Sequence, residues 1–232
     1  MKKLGLLGGM SWESSIEYER LIHEQVRSTL GGTHSADLII RSVDFALIEE
    51  LQARGAWEEA GDLLAGEAQT LEKAGAEAIV LCTNTMHKVA PIIEAAIDIP
   101  LLHIVDATAA AMKTAGVTSV ALLATAYTME DPFYVDRLAD LGFTAIVPGA
   151  NNRAEIQRII YSELVKGVLS DTSRAFMVSV IDDFVASGVE GVIAGCTEIE
   201  LLVTPDDVSV SYFPTTALHA TYATQWALGD LS

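Results

Sequence analysis

One ten-residue pattern occurs twice in this chain. Gly75-Ala76-Glu77-Ala78-Ile79-Val80-Leu81-Cys82-Thr83-Asn84 aligns without a gap on Gly188-Val189-Glu190-Gly191-Val192-Ile193-Ala194-Gly195-Cys196-Thr197, a displacement of 113 residues. Each copy follows an amphipathic segment ending in Ala-Gly or Ser-Gly and then runs apolar, the pattern of a helix followed by a buried strand. A second pairing, displaced by 116, sets Leu6-Leu7 on Leu122-Leu123 and Tyr18 on Tyr134. Two pairings in the same order predict two related α/β halves. The first spans about residues 1–97 and the second about 98–207, with the segment from about 208 to 232 returning to the first. Units of this kind resemble one another anyway, but here the matched strand ends are also where open α/β sheets bind ligands. At that place Thr83 falls opposite Cys196.

The rest of the chain supports an α/β class. Short apolar runs at Leu4–Leu7, Leu38–Val43, Ala78–Leu81, Leu101–Val105, Val120–Leu123, Phe143–Val147, Val192–Ala194 and Val208–Phe213 read as strands. Between them lie helical patterns such as Trp57–Ala74 and Arg174–Ser187. That alternation predicts parallel sheets with right-handed crossovers. A net charge of −18 argues against nucleic acid or an anionic membrane as partner, since both need basic surface. No apolar run approaches the roughly 18–20 residues of a membrane span, and the glycine-rich start is too short for a signal segment. Two cysteines far apart, Cys82 and Cys196, read as free thiols in a reducing compartment, so a cytoplasmic protein is expected.

Chemistry concentrates at the repeated strand ends. Cys196 stands between Gly195 and Thr197-Glu198 at the expected start of a helix, where a thiol pKa falls from about 8.5 toward neutrality. A buried structural cysteine is the bland alternative, which the polar neighbours weaken. In the other copy, Asn84 and Thr85 are able to hold a carboxylate or an ammonium group, or to cap a helix. Cys82 precedes Thr83 by one residue and is expected to face the core. His87 reads equally as a structural hydrogen-bonding residue and as a member of the site. Gly5-Leu6-Leu7-Gly8-Gly9-Met10-Ser11 lacks the spacing of a dinucleotide loop and any phosphate-binding lysine, so close approach of backbone to a small ligand fits better. Its counterpart, Ala124-Thr125-Ala126-Tyr127-Thr128, offers hydroxyls at the same place. Five histidines show no metal-ligand spacing, and no metal is expected. By itself Lys166 reads as a solvated lysine at a helix end.

The segments Cys82-Thr83-Asn84-Thr85-Met86-His87 and Gly195-Cys196-Thr197-Glu198-Ile199, with the opening from Gly5 to Ser14, resemble the aspartate/glutamate racemase family over essentially the whole length. Segments Leu102–Thr108 and Thr215–Ala220 resemble it too. The resemblance implies two α/β domains with the active site in the cleft between them, no pyridoxal phosphate or other cofactor, no metal, and commonly a homodimer. It implies two cysteines acting on opposite faces of an amino acid, one removing the α-proton and the other supplying a proton. Cys196 matches the second; Thr83 occupies the position of the first. Asn84, Thr85, Thr125, Thr128 and Thr197 fall on substrate-contact positions, Lys166 on a carboxylate-binding lysine, and Gln52 near a further contact. Met10 and Glu198 complete the expected substrate-binding set.

An alcohol is a far weaker acid than a thiol, so Thr83 can donate or relay a proton but cannot rest as a base near neutral pH. The expectation is a racemase of aspartate or glutamate that favours the L-enantiomer, with Cys196 as base. Two alternatives stand beside it. One is a single-cysteine decarboxylase or isomerase of the same superfamily. The other is a non-catalytic protein that binds a small amino acid or dicarboxylate.

Overall fold

Apolar runs that must be covered on both faces become the inner strands of parallel sheets, and the repeat supplies two such sets. The computed structural model of the chain describes residues 1–230. They form two units, Met1–Ile104 with Thr216 onward, and Val105–Thr215. The first contains β1 (Leu4–Gly8), α1 (Trp12–Leu30), β2 (Leu38–Ser42), α2 (Phe45–Ala53), α3 (Trp57–Lys73), β3 (Ala78–Leu81), α4 (Ala90–Glu94) and β4 (Leu101–Leu102). Then follow α5 (Ile104–Ala115), β5 (Ser119–Ala124), α6 (Ala126–Glu130), α7 (Phe133–Asp140), β6 (Thr144–Ile146), α8 (Ala150–Ser162), α9 (Asp171–Ala186), β7 (Gly191–Gly195), α10 (Thr197–Leu202) and β8 (Ser211–Pro214). The last helix, α11 (Thr215–Leu228), returns to the first unit.

Each unit holds a four-stranded parallel sheet, ordered β2-β1-β3-β4 in one and β6-β5-β7-β8 in the other. The strand order is therefore repeated along with the sequence. In the first unit the alternation of side chains sorts the core into two layers. Leu7, Ile79 and Leu81 face α2, α3 and α4, whereas Leu4, Leu6, Ala78, Val80 and Cys82 face α1 and α11. Cys82 is fully buried, as its place one residue before Thr83 predicts.

Even the joints repeat. α3 and α9 end in the same Schellman turn: Ala76 N–H bonds Leu71 C=O and Val189 N–H bonds Phe184 C=O. The turn requires φ near +99° at Gly75 and +94° at Gly188, conformations open to glycine. Glu77 then accepts from the Lys3 amide, as Glu190 accepts from the amides of Thr118 and Ser119.

The crossings between units come one strand later than the repeat predicts. The expected boundary at 97/98 would part β4 from β3, with which it pairs through Ile79–Leu101 and Val80–Leu102. The one at 207/208 would part β8 from β7, with which it pairs from Gly191 to Ala194. Four strands, β2, β4, β6 and β8, also fall short of their apolar runs at one end or both, most at β4, where Ile104-Val105 open α5 instead, and at β8, which begins only at Ser211. Each unit thus gives up the helix after its last strand. α5 lies in the second unit, where Thr108 faces the Tyr134 hydroxyl at 3.5 Å. α11 lies in the first, where His219 Nδ1 accepts from the Tyr18 hydroxyl at 2.8 Å and Nε2–H donates to Leu102 C=O at 2.6 Å.

These buried tyrosines differ in what depends on them. Tyr18→Phe strips a fully buried imidazole nitrogen of its donor and is expected to cost about 1–3 kcal/mol. Tyr134→Phe removes only the long contact to Thr108 and should cost less than about 1 kcal/mol. Urea unfolding followed by circular dichroism checks the order, and equal losses would contradict it.

Candidate active site

In a parallel sheet every strand ends at the same edge, so the residues after β1 and β3 gather there in the first unit. Gly9 leaves β1 at φ +93°, and a Cβ there would strike the Val43 carbonyl, so the turn needs glycine. It delivers Met10 into the core layer that also holds Val43, Ile48 and Met86. Gln52, near the end of α2, is buried and its amide donates to Met86 Sδ at 3.0 Å.

β3 ends at Leu81, and the Thr83 N–H turns back to the Leu81 carbonyl at 2.8 Å. The Thr83 side chain is half-buried, and its hydroxyl makes no hydrogen bond among the described residues. Asn84 is buried at the start of a 3₁₀ turn, Thr85–Val89, to which its side chain makes no capping bond. The chain reading of Asn84 as a helix cap is not what the fold adopts. Thr85 follows, half-buried, and Met86 drops into the core.

In the second unit β5 leads into Thr125, whose carbonyl accepts from the amides of Thr128 and Met129 and so starts α6. The hydroxyls of Thr125 and Thr128 lie 3.2 Å apart, both buried. Gln157 on α8 accepts the Ala126 N–H at 2.7 Å, holding this turn from outside it. Nothing in the local sequence marks Gln157, because its role depends on a helix 31 residues away. Lys166 closes a 3₁₀ turn, Leu164–Lys166, after α8; it is exposed, and the turn packs against α10.

Cys196 follows β7 directly and stands before α10 in extended conformation, its carbonyl accepting from Ile199 and Glu200. The thiol donates to Glu198 Oε2 at 2.8 Å and is only 8% exposed. Glu198, expected at the substrate, accepts the thiol hydrogen bond in the chain by itself. Thr197 beside it is half-buried.

The thiol is also the reverse of the expected activated one. Burial pushes the Cys196 pKa well above the ordinary thiol value. The Glu198 charge and the bond to its carboxylate push the same way, against the Glu198 and Ile199 amides that favour thiolate. A helix of six residues offers too little positive end to outweigh a carboxylate in contact with the sulfur. Cys196 therefore rests as a thiol with a proton acceptor already in place. Burial alone raises the pKa of Cys82, which is packed in the core with no such acceptor.

Among the described residues no three His, Cys, Asp or Glu side chains cluster as a metal site, and no helix is long and apolar enough to cross a membrane. A family model described as Asp/Glu/hydantoin racemase matches residues 7–223. The fold is similar to that of a candidate Asp/Glu racemase from Yersinia pestis (54% identity, TM-score 0.94, 98% of this chain and 100% of the other). It is also similar to an aspartate racemase homologue from Pyrococcus horikoshii (34% identity, TM-score 0.87, 98% and 100%). An aspartate racemase from Picrophilus torridus shares the fold at 17% identity (TM-score 0.76, 99% and 95%).

Because only thiolate is alkylated, iodoacetamide labelling of Cys196, followed by intact mass, should be slow at pH 7 and accelerate beyond the ordinary thiol range. Glu198→Gln removes the charge that opposes ionisation, so its labelling profile should move to lower pH. An unmoved profile would mean that Glu198 does not govern the thiol.

Proposed function

The chain belongs to the Asp/Glu/hydantoin racemase family, and we propose that it racemises aspartate or glutamate with Cys196 and Thr83 acting on opposite faces of the α-carbon. One observation carries the reading: the Cys196 thiol is paired with the Glu198 carboxylate at the strand end that the repeat matches to Thr83.

The steps follow from that pairing. Glu198 takes the thiol proton, and the Cys196 thiolate removes the α-proton of the L-amino acid, becoming a thiol again. The resulting carbanion takes a proton from the Thr83 hydroxyl on its other face, Thr83 is reprotonated from water, and Glu198 returns its proton to the hydroxide so formed. The half-buried Thr83 hydroxyl, which makes no hydrogen bond among the described residues, is suited to this donation. Asn84, Thr85, Thr125, Thr128 and Thr197 supply neutral hydrogen-bonding groups for the substrate's polar ends. Lys166 supplies a positive charge for a carboxylate, which matters in a chain of net charge −18. Met10 and Gln52 serve as the packed floor under the Thr83 turn rather than through direct contact. The chemistry assigned here uses side chains alone, without pyridoxal phosphate or another cofactor. Two free cysteines suit the cytoplasm, and a homodimer is the family's common assembly.

The asymmetry between thiol and alcohol sets the preference. A thiol is a far stronger acid than an alcohol, and Cys196 has the Glu198 carboxylate beside it to take its proton while Thr83 has no such base, so the enzyme draws protons from the L-form far faster than from the D-form. The two enantiomers have equal free energy in water, so kcat/KM for net racemisation must still match in the two directions. The preference therefore shows as exchange of the L-form outrunning its inversion, or as separate differences in kcat and KM.

One feature also suits a second reading. A thiol held protonated is what a decarboxylase needs to protonate a carbanion, and such an enzyme would release carbon dioxide from malonates.

Proton NMR of L- and D-aspartate and glutamate in D₂O tests the proposal. Loss of the α-proton signal is expected from the L-form, and Cys196→Ala should slow it at least about 10²-fold. Thr83→Ala should keep that exchange while yielding little D-product by chiral chromatography. If no acidic amino acid exchanges, the racemase reading fails, and carbon dioxide release from malonates becomes the deciding assay.

A further inference from the structure

His87 is the least accounted for of the groups around Thr83. Its imidazole is 1% exposed and bridges two backbone groups, the Thr83 carbonyl after β3 and the Ile104 amide at the start of α5. Ile104 N–H donates to Nε2 at 3.2 Å, so that nitrogen carries a lone pair. The ring proton therefore sits on Nδ1, which donates to the Thr83 carbonyl at 2.7 Å. The tautomer is dictated by an amide that can only donate. Around the ring, His103 and His219 lie 4.5 and 5.6 Å away, and His219 is itself held by Tyr18 and Leu102.

The second half of the repeat shows what this bridge replaces. There the Cys196 carbonyl accepts the amide of Glu200, four residues on, and the start of α10 thereby sets the residue's backbone. The corresponding turn after Thr83 is 3₁₀, and the His87 amide goes to Asn84 at 3.1 Å rather than to Thr83. The Thr83 carbonyl would be left to a poorly determined turn. Instead the side chain of the residue four positions on, His87, makes the bond that a backbone amide makes at Cys196. Its other nitrogen ties the bond to Ile104, the first residue of α5.

We propose that His87 is a positioning residue for the proposed reaction, its Nδ1–H bond fixing the Thr83 backbone so that the hydroxyl meets the α-carbon. The inference rests on the racemase reading given above, and it concerns only the Thr83 face. Its signature is a split between two rates measured in one tube. Loss of the α-proton of the L-substrate in D₂O reports Cys196, and appearance of the D-form reports Thr83. A loosened Thr83 lowers the second rate and spares the first, whereas general destabilisation lowers both.

Two substitutions separate the bonds of the ring. His87→Asn places an amide N–H where Nδ1 stands and keeps the bond to Thr83. His87→Gln places a carbonyl where Nε2 stands and keeps the bond to Ile104 while losing that to Thr83. The ratio of inversion to exchange is expected to fall at least about tenfold in His87→Gln, the scale of a sub-ångström to 1 Å misplacement. In His87→Asn it should stay within about threefold of the starting protein. Parallel loss of both rates in His87→Gln, an unchanged ratio there, or an equal fall of the ratio in both variants each overturns the inference. Failure of the unmodified protein to exchange any acidic L-amino acid overturns the racemase reading first and this inference with it.

Discussion

A parallel strand cannot turn straight back into its neighbour; it must return by a crossover, and every strand of the sheet then ends at one edge. That constraint places the functional side chains of this protein. In each unit the third strand to appear along the chain lies beside the first, β3 against β1 and β7 against β5. The residues that follow them, Thr83 and Cys196, consequently stand beside the turns after the first strands, Gly9-Met10 and Thr125-Ala126. The inner strands are clothed on both faces, so only their ends are available for chemistry.

The two strand ends are then given different characters by very local means. After β7 the chain enters α10 at once, and Cys196 has its carbonyl on backbone amides and its sulfur on Glu198. After β3 the chain makes a tighter turn, and a histidine side chain does the work of the missing amide. Electrostatics follows the same division. A buried thiol against a carboxylate is kept protonated, with the acceptor of its proton 2.8 Å away. An alcohol at the matching place needs no such partner to remain a proton donor.

The exchanged helices give the repeat its second consequence. α5 and α11 each leave the unit whose sheet precedes them, and each meets a buried tyrosine, Tyr134 or Tyr18, at equivalent places in the two halves. The first unit has elaborated this contact with histidines. Tyr18, His219, Leu102, Ile104 and His87 form a chain of buried hydrogen bonds and ring contacts that ends on the Thr83 carbonyl. Hydrogen bonds of this kind contribute modestly when made and cost more when a partner is removed, so the chain specifies one arrangement more than it adds stability.

Much of this was legible in the residues themselves. The duplication, the parallel α/β class, the strand runs and the alignment of Thr83 on Cys196 within the repeat all follow from local pattern and internal comparison, because apolar periodicity reports burial directly. The burial of Cys82 follows from its one-residue offset from Thr83. Where the chain crosses between units did not follow, since β4 and β8 are assigned by pairing with distant strands and not by their own composition. Nor did the role of Gln157, which holds a turn 31 residues away, or the bond of Glu198 to the Cys196 thiol. The state of Cys196 was read in the opposite sense, because the sequence shows a helix start but not the carboxylate that the helix folds onto the sulfur. Sequence alone thus determined which atoms are available at each strand end; only the tertiary structure decided their protonation and bonding, because those depend on burial and on neighbours that the fold brings together.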